Sequence, residues 1–234
     1  MRIAFITVHG CPLRQAGDKD SGGMNIYILE MVKRLAARGV KVDVFTRHHD
    51  SLDPQIVTLA QGVRLVHLPA GPPSLDKNGV YELLPIFVAQ MRRFCILNKL
   101  NYDLISTHYW LSGLVSEKIR DRWNIPLIST FHTLAKTKLR ARPGEKESDE
   151  RILNEKFVMD ISDGILVLSD GEARDIESLY EFKSDKIDVI SAGVDSDKFK
   201  PVPKKTARLK LDIDELDTLL YVGRIEPIKG LDLL

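Results

Sequence analysis

The sequence predicts a doubly wound α/β fold of the Rossmann-like kind, with a mainly parallel sheet. Three observations carry that prediction. Short apolar runs with little polar alternation recur along the chain, as strands buried on both faces require. Longer amphipathic segments separate them, as helices packed on a sheet do. The two kinds of segment alternate almost to the last residue, which is the pattern of a parallel sheet covered by helices on both faces.

Taken in order, Ile3–Val8 reads as a first buried strand. The opening MRIAFITVHG is too short for a membrane span. It has one basic residue and no small-residue cleavage pattern, so it does not read as a signal peptide. A long loop, HGCPLRQAGDKDSGGMN, leads into a helix whose apolar stripe is Met24, Ile28, Met31, Val32 and Leu35, with Gly39 as its stop. Val40–Phe45 and Val63–Leu68 are the next strands, and a helical stripe runs from Leu83 to Leu97. Leu104–Ser106, a helix from Leu111 to Ile119 and Leu127–Phe131 continue the alternation. The charged stretch Lys136–Glu150 (KTKLRARPGEKESDE) reads as a solvated loop. Helical stripes Ile152–Met159 and Ala173–Leu179 flank the strand Ile165–Leu168, and Ile187–Ile190 is the last strand of the sheet. Asp195–Lys205 (DSDKFKPVPKK) reads as an interdomain linker, followed by a short helix, a strand Thr218–Val222, and GRIEPIKG. The expected organisation is therefore a Rossmann-like domain over 1–195, linker and short helix over 196–217, and the start of a second domain over 218–234. One strand and part of a helix cannot bury a core.

Composition narrows the function classes. Apolar residues make up 44% of the chain, and 34 basic against 33 acidic side chains leave a formal net charge of +1. That balance gives no reason to expect nucleic acid or an anionic membrane as partner. Cys11 and Cys95 lack CxxC spacing, so neither a metal site nor a disulfide framework is expected, and a reducing cytoplasm is the default location.

Ligands of such a fold gather at the carboxyl ends of the strands, here the loops near His9, Arg47, Pro69, His108, His132, Ser169 and Gly193. Gly22 and Gly23 stand where the first helix begins. Glycine admits a ligand close to the backbone, and a helix N-terminus favours phosphate, although a plain surface turn would look the same. The G-x-G-x-x-G spacing is absent, and the second strand ends in Thr46–Arg47 without an acidic residue for a ribose. A dinucleotide-dependent oxidoreductase is disfavoured on both counts. Tyr109, His132 and Thr133 follow directly on two strands, at the ligand edge, although His108 and His132 also read as hydrogen-bonded loop histidines. Lys77, beside Asn78–Gly79, reads by itself as a solvated turn lysine. Arg151 at a helix start opposes the helix dipole, which favours a ligand role. GRIEPIKG is not a Walker A loop, but Arg224 and Lys229 around a strand-to-helix turn can converge on a diphosphate. His48–His49 reads as surface, Trp110 and Trp123 as packing.

Four segments carry a resemblance: SGGMNIYILEMVKRLAARGVKVDVFTR, THYWLSGLVSEKIRDRWNIPLISTFHTLAKTK, SAGVDSDKFKP and YVGRIEPIKG. In this order they resemble glycosyltransferase family 4 along essentially the whole chain, and within it the inositol-phosphate glycosyltransferases and sucrose-phosphate synthases. Ala192 departs from the proline or asparagine more usual in the linker motif. The resemblance implies a GT-B architecture, with this chain as the acceptor-binding N-terminal domain plus the truncated start of the donor domain. It implies retaining transfer from a nucleotide-diphosphate sugar, UDP-linked, with no other cofactor and no metal. The leaving phosphate would take the acceptor's proton, without the paired carboxylates of glycoside hydrolases. His9, Asp20 and Asn25 would line the acceptor pocket. Lys77, Tyr109, Thr133 and Arg151 would hold an acceptor phosphate. His132 would sit beside the transferred sugar as the catalytic residue. Gln15, Gly23, Arg224 and Lys229 would face the donor diphosphate. The acceptor would be a small phosphorylated polyol or sugar, inositol phosphate before fructose 6-phosphate. A chain of this length is expected to be inactive alone. The alternative is a degenerate or partner-dependent acceptor-binding module without turnover, and self-association through surface left open by the missing half fits either.

Overall fold

The computed structural model describes residues 1–14, 22–75, 79–120, 122–141, 144, 146–183, 185–213, 217–223, 225 and 231. Its chain divides into two compact units, Met1–Ile190 and Ser191–Leu234. In chain order the first unit contains β1 (Arg2–Ile6), α1 (Gly23–Ala37), β2 (Lys41–Arg47), β3 (Ile56–Ala60), β4 (Val63–Leu68), a 3-10 turn (Tyr81–Leu83) and α2 (Leu84–Leu97). It continues with β5 (Leu104–His108), α3 (Trp110–Arg120), β6 (Leu127–Thr130), α4 (Ala135–Ala141), α5 (Asp149–Ile161), β7 (Gly164–Val167), α6 (Asp170–Leu179) and β8 (Ile187–Val189).

The eight strands form one sheet in the order β3-β4-β2-β1-β5-β6-β7-β8. Every pairing is parallel except β3 with β4. The chain winds outward from β1 to β2 and β4, then returns across the sheet to β5 and winds the other way. The reversal lies between β1 and β5, which is where an open α/β sheet opens its ligand crevice.

Alternate residues of β1 feed two cores. Ala4 and Ile6 join Phe87, Met91, Leu111, Val115, Val158 and Ile176 of the helices on one face. Ile3 and Phe5 join Ile28 and Val32 of α1 on the other. Burying such a side chain contributes about 1.5–3 kcal/mol, so both faces of β1 are anchored and its carboxyl end is a rigid platform. On α3, Gly113 sits where α5 packs: a Cβ there would lie 2.4 Å from Val158 Cγ1. Cys11 and Cys95 are both buried and free. Among the described residues, no helix is long and apolar enough to cross a membrane.

Three segments differ from the sequence expectation. Ile56–Ala60 is a strand, β3, folded back on β4 through Gly62, whose φ is +78°. It is a half-exposed edge strand and lacks the continuous burial of its neighbours. The front of Lys136–Glu150 is not loop: Ala135–Ala141 is α4, and Asp149–Glu150 begin α5. α4 docks by polar contacts. Lys136 Nζ donates to the Leu179 carbonyl at 2.6 Å, and Arg140 Nη1 pairs with Asp175 at 2.6 Å. In the second unit, α7 (Lys204–Leu211) is the regular element among the described residues. Residues 217–223 form no strand there, against the expectation for Thr218–Val222. An extended segment becomes a strand only when a neighbouring strand completes its ladder.

Candidate active site at the carboxyl ends of β1, β5 and β6

His9 follows β1, Tyr109 follows β5, and His132 and Thr133 follow β6. These strands are consecutive in the sheet, so residues 100 or more positions apart meet at one edge. The His9 and Tyr109 rings lie 4.5 Å apart. The Arg151 guanidinium sits 5.1 Å from the centre of the Tyr109 ring, a cation–π contact. Arg151 Nη2 donates to the Thr133 carbonyl at 3.1 Å. His132 Nε2 lies 2.9 Å from His108 Nδ1. Of the residues expected at the site, the structure thus gathers His9, Tyr109, His132, Thr133 and Arg151.

Tyr109 and His132 have φ of 75° and 62°. Left-handed backbone costs a non-glycine residue about 1–3 kcal/mol and concentrates at functional positions. Both sit at the first turn off a central strand, so the sheet imposes the conformation. Burial pushes the His132 imidazole down to about 4, with the charge of His9 adding to the shift. The ring is accordingly neutral near pH 7.

Arg151 is 7% exposed. Its Nε donates to Glu155 at 2.8 Å and its Nη1 to Glu147 at 2.9 Å. Glu155 is fully buried; it also accepts from the Ala135 N–H at 3.0 Å and from the Tyr180 hydroxyl. Burial pushes its carboxyl up, against the pull of Arg151 and these donors. The guanidinium has N–H groups beyond the three engaged here, so it can still grip an oxyanion, from a position held by two carboxylates. Glu147 and Glu155 escaped the sequence reading, although Glu155, four residues after Arg151 on α5, was a usable signal.

Gly23 opens α1, and Gly22 caps it with φ −162°, no side-chain cap and no acidic residue in the first turn. The backbone there is extended, which any residue adopts, and a Cβ on either glycine meets no described atom within 4 Å. Neither strain nor packing explains the pair, which leaves room for an anion against the N–H groups of the helix start. Asn25 is buried on the first turn of α1 at 2% exposure. A Cβ on Gly10 would stand 2.7 Å from Asn25 Oδ1 and 2.3 Å from Met24 Cε, so Gly10 lets the β1 loop close on α1. Arg47, at the end of β2, is buried and donates to the carbonyls of Pro72 and Leu75 at 2.7 Å each. It holds the loop leading towards residue 77. Gln15, Asp20, Lys77, Arg224 and Lys229 lie outside the described residues. Among the described residues no group of three or more His, Cys, Asp or Glu is arranged to hold a metal. A cavity of about 650 Å³ between α2, α3 and α5 is lined by apolar residues such as Val88, Leu114 and Phe157 together with Arg92, Glu117 and Lys118.

Comparison with known proteins bears on the family and the fold. The family model for Glycosyltransferase Family 4 matches residues 21–198. D-inositol 3-phosphate glycosyltransferase of Kineococcus radiotolerans is 40% identical over 240 residues, covering 100% of this chain and 55% of that protein. The protein of the same name from Mycobacterium sp. (strain KMS) is 41% identical over 239 residues, covering 100% and 54%. The chain thus spans about half the length of the curated relatives it matches. Sucrose-phosphate synthase from Thermosynechococcus elongatus superposes with a TM-score of 0.82 at 32% identity, over 90% of this chain and 52% of that one. Anabaena HepE, solved in complex with UDP and glucose, gives 0.59 at 15% identity over 91% and 50%, a likeness of fold alone. The first unit has the fold of a GT-B glycosyltransferase N-terminal domain, and the chain belongs to glycosyltransferase family 4.

Proposed function

We propose that this chain supplies the acceptor-binding half of a retaining glycosyltransferase, which moves a sugar from a UDP-linked donor to D-inositol 3-phosphate in a cytoplasmic setting. The observation that carries the reading is the meeting of His9, Tyr109, Thr133 and Arg151 at the topological switch of the sheet. A phosphate over Tyr109 would take the N–H groups of Arg151 that the carboxylates leave, with Lys77 as the second cation and the Thr133 hydroxyl as a neutral donor. Asp20 and Asn25 would orient the acceptor ring, with His9 beside them. The donor diphosphate would lie at the start of α1, against Gly23 and Gln15, with Arg224 and Lys229 offsetting the charge that develops as it leaves. His132 would stand beside the transferred sugar.

Calorimetry with inositol phosphate tests the acceptor. Binding is expected to weaken by about tenfold or more in Lys77→Ala, the loss of one charge-assisted contact. Equal binding by Lys77→Ala and its parent would remove Lys77 from the site. The chain of 234 residues alone is expected to show no turnover with UDP-sugars, and measurable turnover would overturn that part. One observation favours a second reading, a partner-dependent or degenerate binding module. Glu147 and Glu155 already balance the Arg151 charge. Acceptor binding that never yields product, even with a donor domain supplied, would select it.

A further inference from the structure

His108 ends β5 and is completely buried. Its Nδ1 faces His132 Nε2 at 2.9 Å, and its Nε2 has a longer contact, 3.5 Å, with Ser106 Oγ. The two imidazoles lie 5.2 Å apart and 30° from parallel. Phe5 stacks on His108 at 5.1 Å from β1, and Tyr27 of α1 meets His108 and His132 edge-on at 6.1 and 5.4 Å. The charge facing the pair is that of His9, from the β1 loop. Among the described residues no carboxylate bonds to either ring. Burial pushes both imidazoles down; His132 adds to the shift of His108, and His9 to that of His132. Both are neutral near pH 7.

Two neutral imidazoles joined by one N···N contact hold a single hydrogen between them, so one ring donates and the other accepts. The far end of the chain decides which. The Ser106 hydroxyl is buried, and its partner is a ring nitrogen. A buried O–H without an acceptor costs more than an unused lone pair, so Ser106 donates to His108 Nε2. The His108 hydrogen then sits on Nδ1 and goes to His132 Nε2. The hydrogen of His132 is left on its own Nδ1.

We infer that Ser106 and His108 are positioning residues, a relay that holds His132 as the Nδ1–H tautomer and presents one fixed donor to a hydroxyl oxygen of the bound sugar. The inference rests on the reading that His132 faces that sugar. Two features support it: the left-handed backbone of His132, which fixes the ring at the end of β6, and the Phe5 and Tyr27 rings packed against His108. A histidine free to exchange tautomers would meet a hydroxyl as donor or acceptor indifferently; the relay removes that choice before the ligand arrives.

Proton–nitrogen correlation spectra of the chain with labelled histidine read the tautomer directly, near neutral pH and without ligand. His132 is expected as a single Nδ1–H species. His108→Asn, whose amide N–H stands near the lost Nδ1–H, should keep that species. His108→Phe should remove the hydrogen bond to His132 Nε2, read as a shift of that nitrogen towards the value of an unbonded ring nitrogen. Ser106→Ala, which deletes one hydroxyl and leaves the packing, should shift His108 Nε2 in the same sense while His132 stays Nδ1–H, and serves if His108→Phe does not fold. An Nε2–H His132 in the parent chain, or a His108 Nε2 unmoved in Ser106→Ala and a His132 Nε2 unmoved in His108→Phe, overturns the relay. Adding UDP-glucose tests the sugar contact apart. Site signals that move while the His132 Nδ1–H signal does not would sink the contact. A spectrum that does not move at all counts against the donor reading under Proposed function and leaves the relay standing.

Discussion

Arg151 shows how one side chain is both structure and site. Its removal leaves Glu155 fully buried without its cation, and breaking such a pair costs about 3–5 kcal/mol. Urea unfolding of Arg151→Met should show a loss of that order, and Arg151→Met with Glu155→Gln should regain most of it, because the orphaned charge is then gone. A full loss in the double variant would mean that packing, not charge, fixes the position. The histidine pair makes a second prediction. Unfolded, each ring titrates near its ordinary value, about 6.5; folded, His132 is held down to about 4. Between those values the unfolded chain binds more protons, so stability is present above the upper value and is lost as pH falls through the window. The slope is at most about 1.4 kcal/mol per pH unit for each ring. The urea midpoint should fall across this range, and His132→Gln should flatten the fall; parallel profiles would contradict the burial of the ring. His132, Tyr109 and Thr133 were legible in the sequence because they stand directly after apolar runs. His108 looked like an ordinary loop histidine because nothing in its neighbours shows that β6 will bring another imidazole against it.

At the scale of elements, fully buried pieces were the legible ones. β1, β2 and β4 to β8 announce themselves as apolar runs, and five helices by their stripes. β3 was passed over although IVTLA is as apolar a run as LISTH of β5; what sets it apart is its partial burial at the sheet edge, which only the fold reveals. α4 was passed over too, because charge and carbonyl contacts to α6 hold it in place of an apolar stripe. The α3–α5 crossing carries a prediction of its own. Gly113 gives up helix propensity worth about 1 kcal/mol so that Val158 can approach, and Val158 is β-branched and cannot easily turn aside. Gly113→Ala should therefore lose about 1–3 kcal/mol through overpacking, less the propensity gained. Combined with Val158→Ala, the loss should largely vanish in a double-mutant cycle read by chemical denaturation. Additive effects would show that the helices do not meet there.

For the whole molecule, every residue of the two apolar cores falls within Met1–Ile190. A chain ended after Ile190 should therefore unfold in one cooperative urea transition, with the midpoint of the parent's main transition; a non-cooperative profile would show that the later residues complete the fold. The central place of β1 also has a consequence in time. On the ribosome β1 is made before the strands it pairs with, and one side is closed early by β2, with Ile3 beside Val42. The other side waits for Leu104 to pair with Ile3. At about 5–20 residues per second, the open edge and half of its apolar face stay uncovered for several seconds in every round of synthesis. The strand that anchors the finished site is, during that interval, an open hydrogen-bonding edge of the nascent chain, and a chaperone binding extended apolar segments would find it there.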